Sequence, residues 1–289
     1  MLNNQEIVQL GTANEKEERV SSNQQESNAE VSTKGLLTFG EHLEMLRWML
    51  VRILSVAGVL AVVVFCLKDF VWRLLLAPSE CDFVSYLSIE RLIHAMGWGD
   101  FRFDPWYVEL IATDLSSQFM THLTTSLCLG LLGASPYVLW ELCRFVTPAL
   151  YANERHYALP VVIIMYALFV IGVLMSYFIL FPISFRFLGT YSVAERIHST
   201  ITLDSYISTF TMLTLLMGLV FQLPVVAFIL ARMGLVEART LSLYRKHALL
   251  LIMIVAAIIT PPDLMTLMLV SVPLYLLYEM SLFVVRRAG

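Results

Sequence analysis

The sequence is short of nearly everything that soluble catalysis uses. Its four cysteines, Cys66, Cys81, Cys128 and Cys143, form no C-x-x-C pair, and in or beside apolar stretches free thiols behave as small hydrophobes. The six histidines are scattered, with no H-E-x-x-H and no i,i+4 pair, so a metal site is not expected, nor any other cofactor. There is no G-x-S-x-G elbow and no phosphate-cradling glycine loop. No nucleophile and base stand at plausible positions, so no catalytic residue is assigned and an intramembrane protease is the weakest of the readings. Basic residues form no stripe interleaved with aromatics, and the net charge of −4 mostly reflects the N-terminal tail and loops, which sets nucleic acid aside as a partner.

Hydrocarbon is what the chain has in quantity. Apolar residues make up 58% and charged residues 15%, a balance that predicts an all-α, polytopic membrane protein. Residues 1–35 are the exception. They are rich in Asn, Gln, Ser and Glu, hold no aromatic residue, and read as a disordered, retained tail rather than a signal peptide.

Residues 36–289 supply runs of span length. A first runs from Trp48 to Leu67, and a second from Phe119 to Leu142, interrupted by Gly133 and Pro136. A third runs from Ala158 to Phe181, and a fourth from Ile207 to Ala231 with Pro224 inside it. The remaining stretch is too long for one bilayer crossing and carries Thr260-Pro261-Pro262-Asp263 in its middle, which predicts a hairpin of two helices. The fifth, from Ala248 to Ile259, would rise only ~18 Å against a ~30 Å hydrocarbon core.

Six spans put both termini on one side, and Lys and Arg near short loops choose the side. Arg47, Arg144, Arg155, Arg232, Arg239, Arg245, Lys246, Arg286 and Arg287 share the side of the N-terminus, whereas the third outer loop has none and the second only Arg186 and Arg196. Both termini are therefore expected in the cytoplasm. Residues 68–118 become the first outer loop, where "FVWRLLLAP" and "LSIERLIHAMGW" predict short amphipathic helices.

Four strings then fall in order along the chain: "EHLEMLR" at the mouth of span one, "FVTPALYANER" before span three, "FQLP" within span four and "TPPD" between spans five and six. In order and spacing they resemble the landmarks of the TatC family, from about Phe39 to Arg287. The resemblance implies six helices with a concave face, in the bacterial inner membrane, with residues 68–118 periplasmic. It implies a receptor and core scaffold of the twin-arginine translocase, not an enzyme, present in several copies. Such a protein binds twin-arginine signal peptides on the cytoplasmic side, recruits TatB-like and TatA-like single-span partners in the lipid bilayer, and exports folded proteins with the proton-motive force. The competing reading is a secondary transporter or channel for a small solute, but internal repeats and multiple mid-membrane charges are wanting.

Residue by residue, the resemblance makes Glu154 the principal contact to the arginine pair. A carboxylate takes a guanidinium through paired, charge-assisted hydrogen bonds that lysine cannot reproduce. Read locally, Asn153 and Glu154 are an N-cap and a first-turn acid. Phe145, Pro148 and Arg155 match the surrounding loop and shape it. At the family's first-helix glutamate this chain has Met45, and the carboxylate stands one place earlier as Glu44, turned ~100° about a helix. Glu44 keeps its family neighbours His42, Leu46 and Arg47, and is favoured as the second acceptor; Glu141 is the other candidate, read locally as a partner of Arg144 at i+3. Within the membrane, Gln222 beside Pro224 is expected to line a wet concave face. Thr260 and Asp263 form the polar turn that implies partner docking, Asp263 also capping span six, while Leu267 replaces the family's glutamine. Glu279, deep in span six, must lie near the interface or have a partner.

Overall fold

A chain in hydrocarbon has to satisfy its backbone within itself, so its apolar runs fold as helices and break where proline removes a donor. The computed structural model describes residues 39–80, 82–95, 97, 109–146, 158–192, 200–260 and 263–288. The tail, residues 1–35, lies outside these. The chain divides into two units, Met1–Arg52 and Ile53–Gly289, and helix α1 (Phe39–Cys66) crosses that boundary. It is followed by α2 (Lys68–Leu76), α3 (Val84–Ala95), α4 (Ser117–Gly133), α5 (Ser135–Val146), α6 (Ala158–Met175) and α7 (Phe181–Thr190). Then come α8 (Leu203–Val220), α9 (Leu223–Arg232), α10 (Ala238–Leu243), α11 (Arg245–Ile259) and α12 (Leu264–Ala288). The chain is all-helical as expected, with one short parallel pairing among the described residues, β1 (Leu110–Ile111) with β2 (Ile201–Thr202).

Among the described residues four helical stretches are long and apolar enough to cross a bilayer: Leu43–Cys66, Pro160–Thr190, Leu203–Arg232 and Leu264–Arg287. Helices α4 and α5 together supply another, bent by 54° next to Gly133 and Pro136, the two residues that interrupt the run. Helix α11, with 15 residues, rises only ~21 Å and falls short of that length.

Several limits differ from the sequence reading, and each has a local cause. The third span continues past Phe181 to Thr190 because a π-helical turn, Ser176–Leu180, precedes Pro182; the carbonyl that Pro182 cannot serve belongs to Phe178, inside the widened turn. The fourth breaks at Phe221 and Gln222, so the proline-freed carbonyl of Val220 falls at the end of α8. Helix α11 starts at Arg245 rather than Ala248, taking the basic residues into its first turn. The two amphipathic segments of the first loop are helices, α2 and α3, as expected.

Where helices cross closely, glycine makes room. A Cβ on Gly130 would sit 2.6 Å from the Ala61 backbone nitrogen, and one on Gly172 2.8 Å from the Met217 carbonyl oxygen; close approach of this kind is how helices associate when the hydrophobic effect cannot drive them. Leu213, Met217, Ile252, Ala256, Val270 and Leu274 form the main apolar cluster, joining α8, α11 and α12. A second cluster sets Val71 and Leu75 of α2 against Phe181, Phe185, Tyr206 and Phe210.

That second cluster is pinned by hydroxyls. The last carbonyls of a helix have no partner within it. Here Tyr177 donates to Leu74 O (2.8 Å), Tyr206 to Leu75 O (2.8 Å) and Ser79 to Leu76 O (2.6 Å). The Tyr86 hydroxyl, 1% exposed, shares its proton between Pro78 O (3.2 Å) and Pro182 O (3.0 Å). Burial pushes the Tyr86 phenol up to about 12, against the opposing pull of the Arg186 guanidinium, which lies 5.3 Å above its ring.

Candidate functional site

Of the carboxylates assigned to ligand binding, Glu44 stands exposed in the second turn of α1, with Arg47 also exposed three residues on. Met45 beside it is 36% exposed. Glu154 and Arg155, with Asn153 and Pro148, lie outside the described residues. Glu141, on α5, has a different setting from Glu44. It is 5% exposed and accepts a hydrogen bond from the Tyr137 hydroxyl at 3.0 Å, one turn earlier on the helix; the expected neighbour Arg144 is exposed. Phe145 is half-buried at the end of the same helix.

The polar residues of the spans are held by backbone. Gln222 stands at the N-cap position of α9, without a cap bond from its side chain, and is 5% exposed. Its amide nitrogen donates to Met165 O at 3.1 Å, as expected of a polar side chain that finds an acceptor instead of water. Its carbonyl oxygen is buried without a protein partner among the described residues. At the hairpin, Thr260 is 6% exposed and donates to Ala256 O at 2.9 Å. Asp263 accepts from the Thr266 backbone N–H at 2.7 Å, the N-cap bond expected of it. The other Asp263 oxygen and the Thr266 hydroxyl are buried without protein partners among the described residues. Leu267 packs on the main apolar cluster.

Glu279 has the partner its depth demanded. Arg245 donates to Glu279 Oε2 at 2.9 Å and Tyr275, one turn back on α12, to Oε1 at 3.2 Å. Arg245 was missed as that partner because it had been counted only among the orienting charges. Among the described residues no group of three His, Cys, Asp or Glu is placed to hold a metal, and Cys66, Cys128 and Cys143 are free thiols.

Long apolar helices, a broken span, a short hairpin and polar groups confined to helix ends and breaks define a polytopic, helical integral membrane protein. The description "Sec-independent protein translocase protein (TatC)" matches residues 41–273, and the chain belongs to the TatC family. Similar proteins include the TatC translocase proteins of Desulforapulum autotrophicum, 37% identical over 87% of this chain and 85% of the relative, and of Carboxydothermus hydrogenoformans, 32% identical over 86% and 93%. A crystal structure of the twin-arginine translocase receptor TatC superposes with a TM-score of 0.68 at 28% identity, over 86% of this chain and 99% of that one. The protein is the TatC component of the twin-arginine translocase. It is a transport subunit and not an enzyme, which also sets aside the reading as a small-solute transporter or channel.

Proposed function

We propose that this chain receives twin-arginine signal peptides on the cytoplasmic side of the inner membrane, with Glu154 as principal acceptor and Glu44 as the second. Both termini and the 1–35 tail face the cytoplasm, and residues 68–118 the periplasm. Family membership supplies the general role, and the contrast between two carboxylates supports the site. Glu44 is exposed on a helix end, free to meet an incoming guanidinium in water. Glu141 is buried and already accepts from Tyr137, so binding an arginine there would cost a formed bond and a rearrangement. Arg47, Phe145 and Arg155 shape the surroundings. TatB-like and TatA-like single spans dock beside Thr260 and Asp263, with Leu267 replacing a polar contact by an apolar one, in a complex of several copies driven by the proton-motive force.

Precursor affinity measured for Glu154→Gln, Glu44→Gln and Glu141→Gln tests the assignment. Glu154→Gln loses most binding. Glu44→Gln loses ~1.5 to 3 kcal/mol, roughly ten-fold to more than a hundred-fold, as one charge-assisted bond requires. Unchanged binding in Glu154→Gln overturns the principal site, and a loss at Glu141 with none at Glu44 overturns the second.

A further inference from the structure

Beyond its basic first turn, helix α11 is an apolar rod. Its inner face is Ile252, Ala256 and Ile259, and its outer face exposes Leu250, Ile254 and Ile258. Contacts among such residues resist separation but specify position along the axis poorly, since a slide of one turn, ~5.4 Å, exchanges one aliphatic contact for another. Something other than the apolar face has to set the depth of a span this short.

We propose that the Arg245–Glu279 pair is a register clamp, a positioning pair that fixes the depth of α11 against α12 and with it the level of the Thr260–Asp263 turn. The arms of the hairpin have matching lengths. Arg245 to Ile259 and Leu264 to Glu279 are 14 and 15 steps along α11 and α12, ~21 and ~22 Å at helical rise. The ion pair therefore closes the end of the hairpin opposite the turn. Both carboxylate oxygens are committed, Oε2 to Arg245 at 2.9 Å and Oε1 to Tyr275 at 3.2 Å, so the carboxylate is fixed on its own helix and offers Arg245 one position. At the same level the Tyr278 hydroxyl takes Leu241 O at 2.6 Å, tying α10 to α12. Beyond Glu279 the helix runs on through Met280 and Phe283, 40% and 55% exposed, before reaching Arg286 ~10 Å higher along its axis. The two side chains are 44% and 33% exposed, and a slide that parted them would break a charge-assisted hydrogen bond and leave the carboxylate without its cation. Polar pairs that fix register are the best-attested use of such groups.

The clamp does not depend on the signal-peptide reading, and its test needs no precursor. Full-length protein with its four cysteines replaced by serine would carry a spin label at Leu250→Cys or Ile258→Cys, in vesicles of phosphatidylcholine and phosphatidylglycerol. Label depth is then read from collisions with oxygen and with a water-soluble nickel chelate. Arg245→Gln and Glu279→Gln should each shift the label by ~1.5 to 5 Å, one residue to one turn, or split it into two depths. The swap Arg245→Glu with Glu279→Arg should restore the parent depth, and Arg245→Lys, which keeps the charge, should hold it. Unchanged depth in both neutral variants overturns the clamp. So does a swap that inserts but stays displaced; if the swap does not insert, Arg245→Lys decides, supporting the clamp at the parent depth and overturning it at the displaced one.

Discussion

Gly130 and Gly133 lie less than one turn apart on α4, and alanine should have opposite effects at the two. At Gly130 the added methyl would meet the Ala61 nitrogen at 2.6 Å, its Cα at 2.7 Å and its Cβ at 2.8 Å, whereas at Gly133 the nearest atom is Leu60 Cδ1 at 3.7 Å. The first set is mainly backbone, so the methyl cannot be accommodated by turning a side chain; α1 and α4 have to part. Overpacking of that kind costs ~1 to 3 kcal/mol, while replacing helical glycine by alanine returns about 1 kcal/mol at either position. Gly133→Ala should therefore be neutral or stabilising, and Gly130→Ala less stable than Gly133→Ala by ~1 to 3 kcal/mol. Ala61→Gly should rescue little, because it removes only the 2.8 Å contact and leaves the two nearer ones. The measurement is reversible unfolding in mixed micelles with a denaturing detergent, on parent and variants under one condition. Equal stability of the two alanine variants would refute the close crossing of α1 and α4.

Two further outcomes follow from hydrogen bonds and burial. Asp263→Ala removes the acceptor for the Thr266 N–H and should cost ~0.5 to 2 kcal/mol, as lost caps do, with Asp263→Asn retaining most of it; equal loss in both would show that the charge rather than the cap matters. The Tyr86 phenol, raised from 10.0 to about 12, holds its proton more tightly folded than unfolded, so its contribution to stability is present below pH 10 and lost as pH rises through about 12. An alkaline titration of phenolate absorbance, parent minus Tyr86→Phe, should place this group above the exposed tyrosines, and ionisation together with them would refute its burial.

The spans were legible because apolar runs of bilayer length have one solution, and the hairpin because two adjacent prolines cannot sit inside a helix. What escaped the sequence was contact between distant residues. Arg245 and Glu279 are 34 residues apart, and no local period announces that they meet. Tyr177 and Tyr206 each reach more than 100 residues back to a carbonyl at the end of α2. Span three, bounded by its apolar run at Phe181, goes on to Thr190, because a π turn ahead of Pro182 lets the helix continue. Gln222 needed an internal partner or a wet cavity, and the Met165 carbonyl, 57 residues away in the chain, is a partner no local pattern could name. The motifs single out site residues, of which Glu44 and Glu141 are described and Glu154 lies outside the described residues.

The substitution at Met45 is where fold and site bear on each other. Glu44 could have regained the family position if the chain entered α1 irregularly, because a disordered turn can point neighbouring side chains alike. The helix is instead continuous from Phe39, which places Glu44 five residues inside it and leaves its ~100° displacement from position 45 in force. A carboxylate displaced in that way approaches a guanidinium from another side. Binding at Glu44 then requires that the signal peptide's second arginine, a long and rotatable side chain, make up the difference, or that α1 be turned about its axis. Glu141 offers no simpler route, being buried and bonded to Tyr137. An exposed Glu44 and a flexible arginine need less rearrangement than opening a formed hydrogen bond, and that is the physical ground for placing the second contact on α1.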